Sequence, residues 1–174
     1  MIPRGVDNQP LAWYSCFSGA CPILKQDEYV KAKLVEMGWR FGQSYVGAAG
    51  HIAGQMIMHT LANRVRCGWG SWLQVIDRVP TFMAENEMPP LVHPSLWDAA
   101  FIKLMQTVDG VFDGSVPDSS KGALYWGDLA KIERPWFMEK IVQAKRMALV
   151  TEGELTEVPA HQRVANLCGL NFWA

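Results

Sequence analysis

Residues 51–68 read HIAGQMIMHTLANRVRCG, and this stretch decides the fold class. Ile52, Met56, His59 and Asn63 recur at helical spacing, and Ile57, Leu61 and Val65 make an adjoining stripe. Two stripes side by side form an apolar face too wide for a helix lying on a surface. The segment from about Gly50 to Arg66 is therefore expected to be the most buried helix, with others packed around it. His59 on this face reads as a satisfied core histidine. Gly68 is placed to end the helix, because glycine accepts the left-handed conformation of a C-terminal stop.

Upstream, QDEYVKAKLVEMGWRF begins a second helix at Gln26, with Tyr29, Leu34, Met37 and Phe41 on one side. Asp27 and Glu28 suit its first turn, where the macrodipole favours negative charge. Gly42, Gly47 and Gly50 read as breaks between the two helices. Downstream, Ser71 caps a short helix in SWLQVIDRV. Pro80, Pro89, Pro90 and Pro94 then mark a loop. SLWDAAFIKLMQTVDGVF is a further helix, with Ser95 as its cap and Trp97, Phe101, Leu104 and Met105 inward. RPWFMEKIVQAKRMALV carries Pro135 at a first turn and reads as an amphipathic helix. The tail from Thr151 has β character and closes on LNFWA. The expected architecture is mainly α with a small antiparallel β element (α+β). One domain covers 26–174, after an irregular arm over 1–25 that is rich in Pro, Gly, Ser and Cys.

The second informative stretch is SSKGALYWGDL, residues 119–129. A polar turn leads into a short strand with Tyr125 and Trp126 adjacent. Neighbours on a strand point to opposite faces, so at most one of them packs inward. The other is a surface that meets something. ALYW and LNFWA are expected to pair, since two short apolar strands need partners for their backbone groups.

The 174 residues carry a formal net charge of -1, which lacks the basic excess of a nucleic-acid-binding protein. Hydrophobic residues are 49% and charged residues 19%, as in a globular chain rather than a disordered one. No apolar run is long enough to span a membrane. MIPRGVDNQPLAW has no apolar stretch after a basic start, so no secretion signal is expected. The four cysteines fall at 16, 21, 67 and 168, which is a poor zinc pattern. Cys16 and Cys21 are close enough for a local disulfide, although the reduced form is preferred. The eight tryptophans are large core residues or, in part, the lining of a groove for a sugar or peptide.

Motifs for other chemistries are missing. His51 and His59 lie too far apart for the paired histidines of a zinc-protease helix. No GxSxG or phosphate-loop pattern occurs, and no cofactor or metal is expected. Glycoside cleavage needs a carboxylic acid beside the scissile bond. Asp27, Glu28 and Glu36 are candidates, and Glu36 has the apolar setting that keeps such an acid protonated.

Three of these segments resemble one known family. GQMIMHTLANRVRCGWGSWLQVI is similar to the central helix of the SleB/CwlJ-like cell-wall hydrolases, with Asn63, Arg64 and Val65 on its Asn-Arg-Val signature. GSVPDSSKGALYW is similar to the family's later motif through Asp118, Ser120, Gly122, Ala123, Leu124 and Tyr125. RVANLCGLNFWA resembles its closing strand, and the RCGWGSW continuation resembles the phage-encoded branch. The resemblance implies a lysozyme-like helical domain that cleaves peptidoglycan glycan strands as a muramidase or lytic transglycosylase. It implies a groove beside Tyr125, with Asp118, Ser120, Tyr125 and Trp126 binding substrate. It also implies a phage virion or host-cytoplasm location, with other virion proteins contacted through the N-terminal arm. The chain departs from the family at the catalytic glutamate. Counting back from Asn63 without gaps lands on Ala49, and VGAAGHIAG holds no carboxylate. Either Glu36 supplies the acid, or the chain is an inactive virion structural protein on the same fold.

Overall fold

The computed structural model describes residues 26–43, 48–79, 89–94, 98–127 and the strand residues 147–151, 154–158, 163–167 and 170–173. Four helices come first: α1 (Gln26–Gly42), α2 (Ala48–Arg66), α3 (Trp72–Arg78) and α4 (Ala99–Asp113). Five strands follow: β1 (Tyr125–Gly127), β2 (Met147–Thr151), β3 (Glu154–Val158), β4 (Arg163–Leu167) and β5 (Leu170–Trp173). Mainly helical with a late β element is thus the observed class. The expected arm over 1–25 lies outside the described residues.

α1, α2 and α4 pack on one another, and α3 lies against α1 and α2. Leu34, Ile57, Leu61, Phe101 and Leu104 at their junction are fully buried. Each such side chain contributes about 1.5–3 kcal/mol of hydrophobic stabilisation. α2 is buried along most of its length, as its double stripe requires, but Ile52 near its start is exposed. Gly50 and Gly54, two residues before and after it, face α1, so Ile52 lies on the other side of the helix. On α1, Leu34, Met37 and Phe41 are buried as expected, and Val30, Val35 and Trp39 join them.

Gly42 does end α1, whereas Gly50 lies inside α2. The glycines also set how closely the two helices approach. A Cβ at Gly38 would stand 2.8 Å from the Gly54 carbonyl oxygen, and one at Gly54 would stand 2.7 Å from the Gly38 oxygen. A Cβ at Gly42 would meet the Gly50 oxygen at 2.5 Å. Gly42 and Gly50, read as breaks, therefore join Gly38 and Gly54 in a seam of backbone against backbone, and Gly47 lies outside the described residues.

Caps follow local chemistry. Ser71 and Gln74 form a reciprocal capping box at the start of α3. Gly68 takes φ +80° just beyond α2, as a C-terminal stop should. The cap of α4 is Asp98 rather than Ser95, its carboxylate accepting from the backbone N–H groups of Ala100 and Phe101. A carboxylate at this position satisfies two end donors and favours the dipole, so the helix starts there. Ser95 and Trp97 lie outside the described residues. Phe101, Leu104 and Met105 face inward, together with Val108 and Val111.

The helix expected from Pro135 is corrected at its far end. Met147–Thr151 is a strand, paired antiparallel with Glu154–Val158 from Met147↔Val158 to Thr151↔Glu154. Only Glu152 and Gly153 separate the two, a spacing suited to a tight hairpin whose ladder outcompetes a helical end. Residues 128–146 lie outside the described set. The expected pairing of ALYW with LNFWA is direct: Tyr125↔Trp173, Trp126↔Phe172 and Gly127↔Asn171. β4 completes the sheet in the order β1-β5-β4, with an irregularity between Arg163 and Ala165.

Candidate functional site

Asn63, on the last turns of α2, faces the turn that follows α4. Its Nδ2 lies 2.8 Å from Asp118 Oδ2, 3.1 Å from the Ala123 carbonyl oxygen and 3.2 Å from Ser120 Oγ. Two amide hydrogens are thus shared among three acceptors. Asp118 folds the turn upon itself, Oδ1 accepting from the Ser120 N–H at 2.8 Å and from Ser120 Oγ at 2.7 Å. Oδ2 also accepts from the Gly122 N–H at 2.7 Å. This is the aspartate turn chemistry that the Asp-Ser-Ser-Lys-Gly sequence favours, with Lys121 and Gly122 both at positive φ. Burial pushes the Asp118 carboxyl up, but the hydrogen bonds from Ser120, Asn63 and Gly122 outweigh it and hold it below the ordinary carboxylate range. The side chain is ionised and fully engaged.

The next residue of α2 holds the strand. Arg64 Nε donates to the Leu124 carbonyl at 2.7 Å, directly before β1. Its Cζ lies 4.7 Å from the ring centroid of Trp126, 5.1 Å from that of Trp69 and 5.9 Å from that of Tyr125. Each cation–π contact of this kind contributes about 0.5–2 kcal/mol, depending on desolvation. Burial lowers the Arg64 pKa to about 10, partly countered by Tyr125, so the group remains a cation at neutral pH.

Tyr125 and Trp126 divide between faces, as the strand period demands. Trp126 turns inward, edge-on to Phe41 at 5.3 Å between centroids. Tyr125 turns outward and is half-buried beside Trp69, edge-on at 5.3 Å. Of the two aromatics expected to bind substrate, Tyr125 has the exposure for it. Trp126 is only 7% exposed and belongs to the core, because its ring fills the space above Phe41.

His59, one turn before Asn63, is in the core but is not satisfied there. It is fully buried, neither ring nitrogen has a hydrogen-bond partner among the described residues, and Nδ1 stands 3.7 Å from Asp118 Oδ1. Burial lowers its pKa, the Asp118 charge raises it and the Arg66 charge lowers it; the net shift is downward. The same four-residue spacing that placed His59 and Asn63 on one stripe brings both to Asp118.

Asp118, Ser120, Tyr125 and Trp126 are therefore brought together, and Glu36 is not brought to them by any described contact. Glu36 shares a polar stripe of α1 with Lys33 and Arg40, away from the Gly38–Gly42 seam. Its carboxylate meets Lys33 Nζ at 2.7 Å and Arg40 Nη1 at 3.6 Å. Two cations surround it where an apolar wall was expected. Ala49 is half-buried on the first turn of α2. Among the described residues no cluster of His, Cys, Asp or Glu could hold a metal ion. Cys67 is exposed and unpaired by a disulfide, while Cys16, Cys21 and Cys168 lie outside the described residues.

Two site residues carried no functional reading in the sequence. Arg64 counted only as part of a motif, and Trp69 as one of many tryptophans. A basic residue at the end of an apolar helix, followed by a Trp-Gly-Ser-Trp turn, was the available signal. Comparison with family models, curated proteins and solved structures finds no match for this chain in any of the three. No described helix is long and apolar enough to cross a membrane.

Proposed function

We propose that this chain is a cell-wall-directed domain of SleB/CwlJ-like type that engages peptidoglycan glycan strands without cleaving them, as a structural component of a phage particle. One observation carries the reading. The three segments that resemble the family are far apart in sequence, yet they form one cluster: Asn63 bonds Asp118, Arg64 bonds Leu124, and β1 pairs with β5. Chance likenesses would have no reason to converge. The half-exposed Trp69–Tyr125 pair offers the aromatic platform on which a sugar ring stacks.

The absence of cleavage follows from protonation chemistry. A glycosidase must donate a proton to the leaving oxygen. Asp118 is the carboxylate described in the cluster, and its four accepted hydrogen bonds hold it ionised. Position 49, where the resemblance expects the acid, is alanine. A second reading retains cleavage with Glu36 as the acid, and it is favoured by the 13% exposure of that side chain.

Peptidoglycan sacculi and zymography separate the two. The chain should sediment with sacculi and leave no cleared band in a peptidoglycan gel. A cleared band that Glu36→Gln abolishes would establish the second reading. Failure to sediment with sacculi sinks the first reading, and together with no cleared band it sinks both. Mass spectrometry of purified particles tests the virion assignment, which requires the chain to be present.

A further inference from the structure

We infer that Arg64 is a carboxylate-reading residue: the in-plane edge of its guanidinium, rimmed by Trp69 and Tyr125, takes a carboxylate carried by a glycan strand. This deepens the function proposed above and rests on it. The reason is an unbalanced charge. Buried arginines are ordinarily neutralised by an acid, because removing a cation from water is costly unless it is paired. Arg64 is only 7% exposed. The described ion pairs are Lys31–Asp109, Lys33–Glu36, Arg40–Glu36 and His59–Asp118, and none includes it.

Its donors are equally underused. Nε–H is committed to the Leu124 carbonyl. The N–H groups on the two Nη atoms have no acceptor among the described residues. The three rings within 4.7–5.9 Å of Cζ favour the charge, and among the described hydrogen bonds none joins these rings to those donors. The fork geometry of a guanidinium matches a carboxylate, which can accept two parallel hydrogen bonds. Asp118, the nearby acid, is already engaged by Asn63, Ser120 and Gly122. The missing anion therefore comes from outside the described site. Trp69 and Tyr125, both half-buried, stand where a sugar bearing that anion would stack.

Peptidoglycan offers this chemistry from two sources. One is the free lactyl carboxylate of a peptide-stripped strand, and the other is the carboxylates of the stem peptide. Three probes titrated against the full chain, with tryptophan fluorescence as readout, distinguish them. They are the N-acetylglucosamine–N-acetylmuramic acid disaccharide, the same disaccharide carrying its stem peptide, and neutral chitobiose. At least one acidic probe should bind about tenfold or more tightly than chitobiose, the scale of one charge-assisted contact. That margin, read as the ratio of acidic-probe to chitobiose affinity, should shrink in high salt and largely vanish in Arg64→Lys. The tighter of the two acidic probes identifies the source. Equal binding of all three by the parent chain overturns the inference and leaves the proposed function standing; this arm needs no variant to fold. A preference that survives in Arg64→Lys, with parental circular dichroism, also overturns it. If no saccharide binds but D-lactate quenches fluorescence through Arg64, the carboxylate site stands and the glycan-binding function falls. If none of the four ligands binds, both fall.

Discussion

The α1–α2 seam and the latch between α2 and residues 118–124 join two segments to the same helix by opposite means. Gly54 and Asn63 are nine residues apart, about two and a half helical turns, and so sit on opposite sides of α2. At the seam, side chains are absent and backbones touch, with Gly54 and Gly38 each presenting a carbonyl to the other's Cα. At the latch, side chains supply nearly every contact, through Asn63, Asp118, Ser120 and Arg64. The seam fixes a distance, whereas the latch fixes which atoms meet. A dispersive contact tolerates no added volume, and a hydrogen-bonded one tolerates no lost partner.

The largest expected effect is at the latch. Asp118→Ala removes the acceptor for four donors and leaves Asn63, Ser120 and Gly122 to find water. Loss of about 3 kcal/mol is expected, since orphaned buried donors cost ~1–3 kcal/mol each and partial exposure offsets some of it. Urea denaturation measures it, and a loss below about 1 kcal/mol would show that the turn folds without its carboxylate.

Next comes the seam. Gly54→Ala would place a methyl 2.7 Å from the Gly38 oxygen and 2.8 Å from Leu104 Cδ2. Overpacking costs ~1–3 kcal/mol, and the gain in helix propensity returns about 1 kcal/mol. A net loss of roughly 1 kcal/mol, at most about 2, should lower the melting temperature by roughly 2–4 °C in a chain of this length. A rise in melting temperature would mean that the helices separate freely and the seam is not tight.

The comparison also explains what the sequence made legible. The latch was visible because its residue types are those that turns and helix ends require, and the motif likeness grouped them. The seam was not, because glycine is read as a helix breaker while its second use, close approach, depends on what lies opposite. Trp126 shows a similar limit. The strand period said that one of two aromatics turns inward, and only Phe41 beneath it decides which. The setting of Glu36 was misread because an apolar run in sequence says nothing about Lys33 and Arg40 converging on one stripe. The strand at Met147–Thr151 was read as helix as far as Val150 because a short apolar run such as MALV fits either period, and the ladder with Glu154–Val158 is what decides.

A smaller effect tests the latch through pH. His59 has a folded pKa below its ordinary 6.5, so the unfolded chain takes up this proton first as pH falls. Stability should decline from about pH 6.5 down to the lowered value and then level. Asp118, also depressed, adds a second decline as pH falls from about 3.8 toward its folded pKa. His59→Leu removes a buried, unpartnered imidazole and should leave stability at pH 7 within about 1 kcal/mol of the parent. Its urea midpoint should change less between pH 7 and 5 than the parent's. An unchanged pH profile would locate the acid sensitivity elsewhere.

The smallest effect is expected away from both contacts. Glu36→Gln breaks two ion pairs on one face of α1, and such pairs contribute about 0.5 kcal/mol. The melting temperature should barely move, which keeps this variant clean for the zymogram.

The pairing of β1 with β5 has a kinetic side. Tyr125 sits in register with Trp173, and the whole stretch between them must be gathered before that pair can form. Helices such as α3, with its Ser71–Gln74 box, close through neighbours and fold on microsecond scales. A sheet built from distant segments waits for loop closure and is slower. The helical core is therefore expected to consolidate first, with the aromatic rim assembled last. Stopped-flow refolding should show far-ultraviolet helix signal ahead of the tryptophan signal, and a chain caught between the two phases would hold its helices without the Trp69–Tyr125 pair in place.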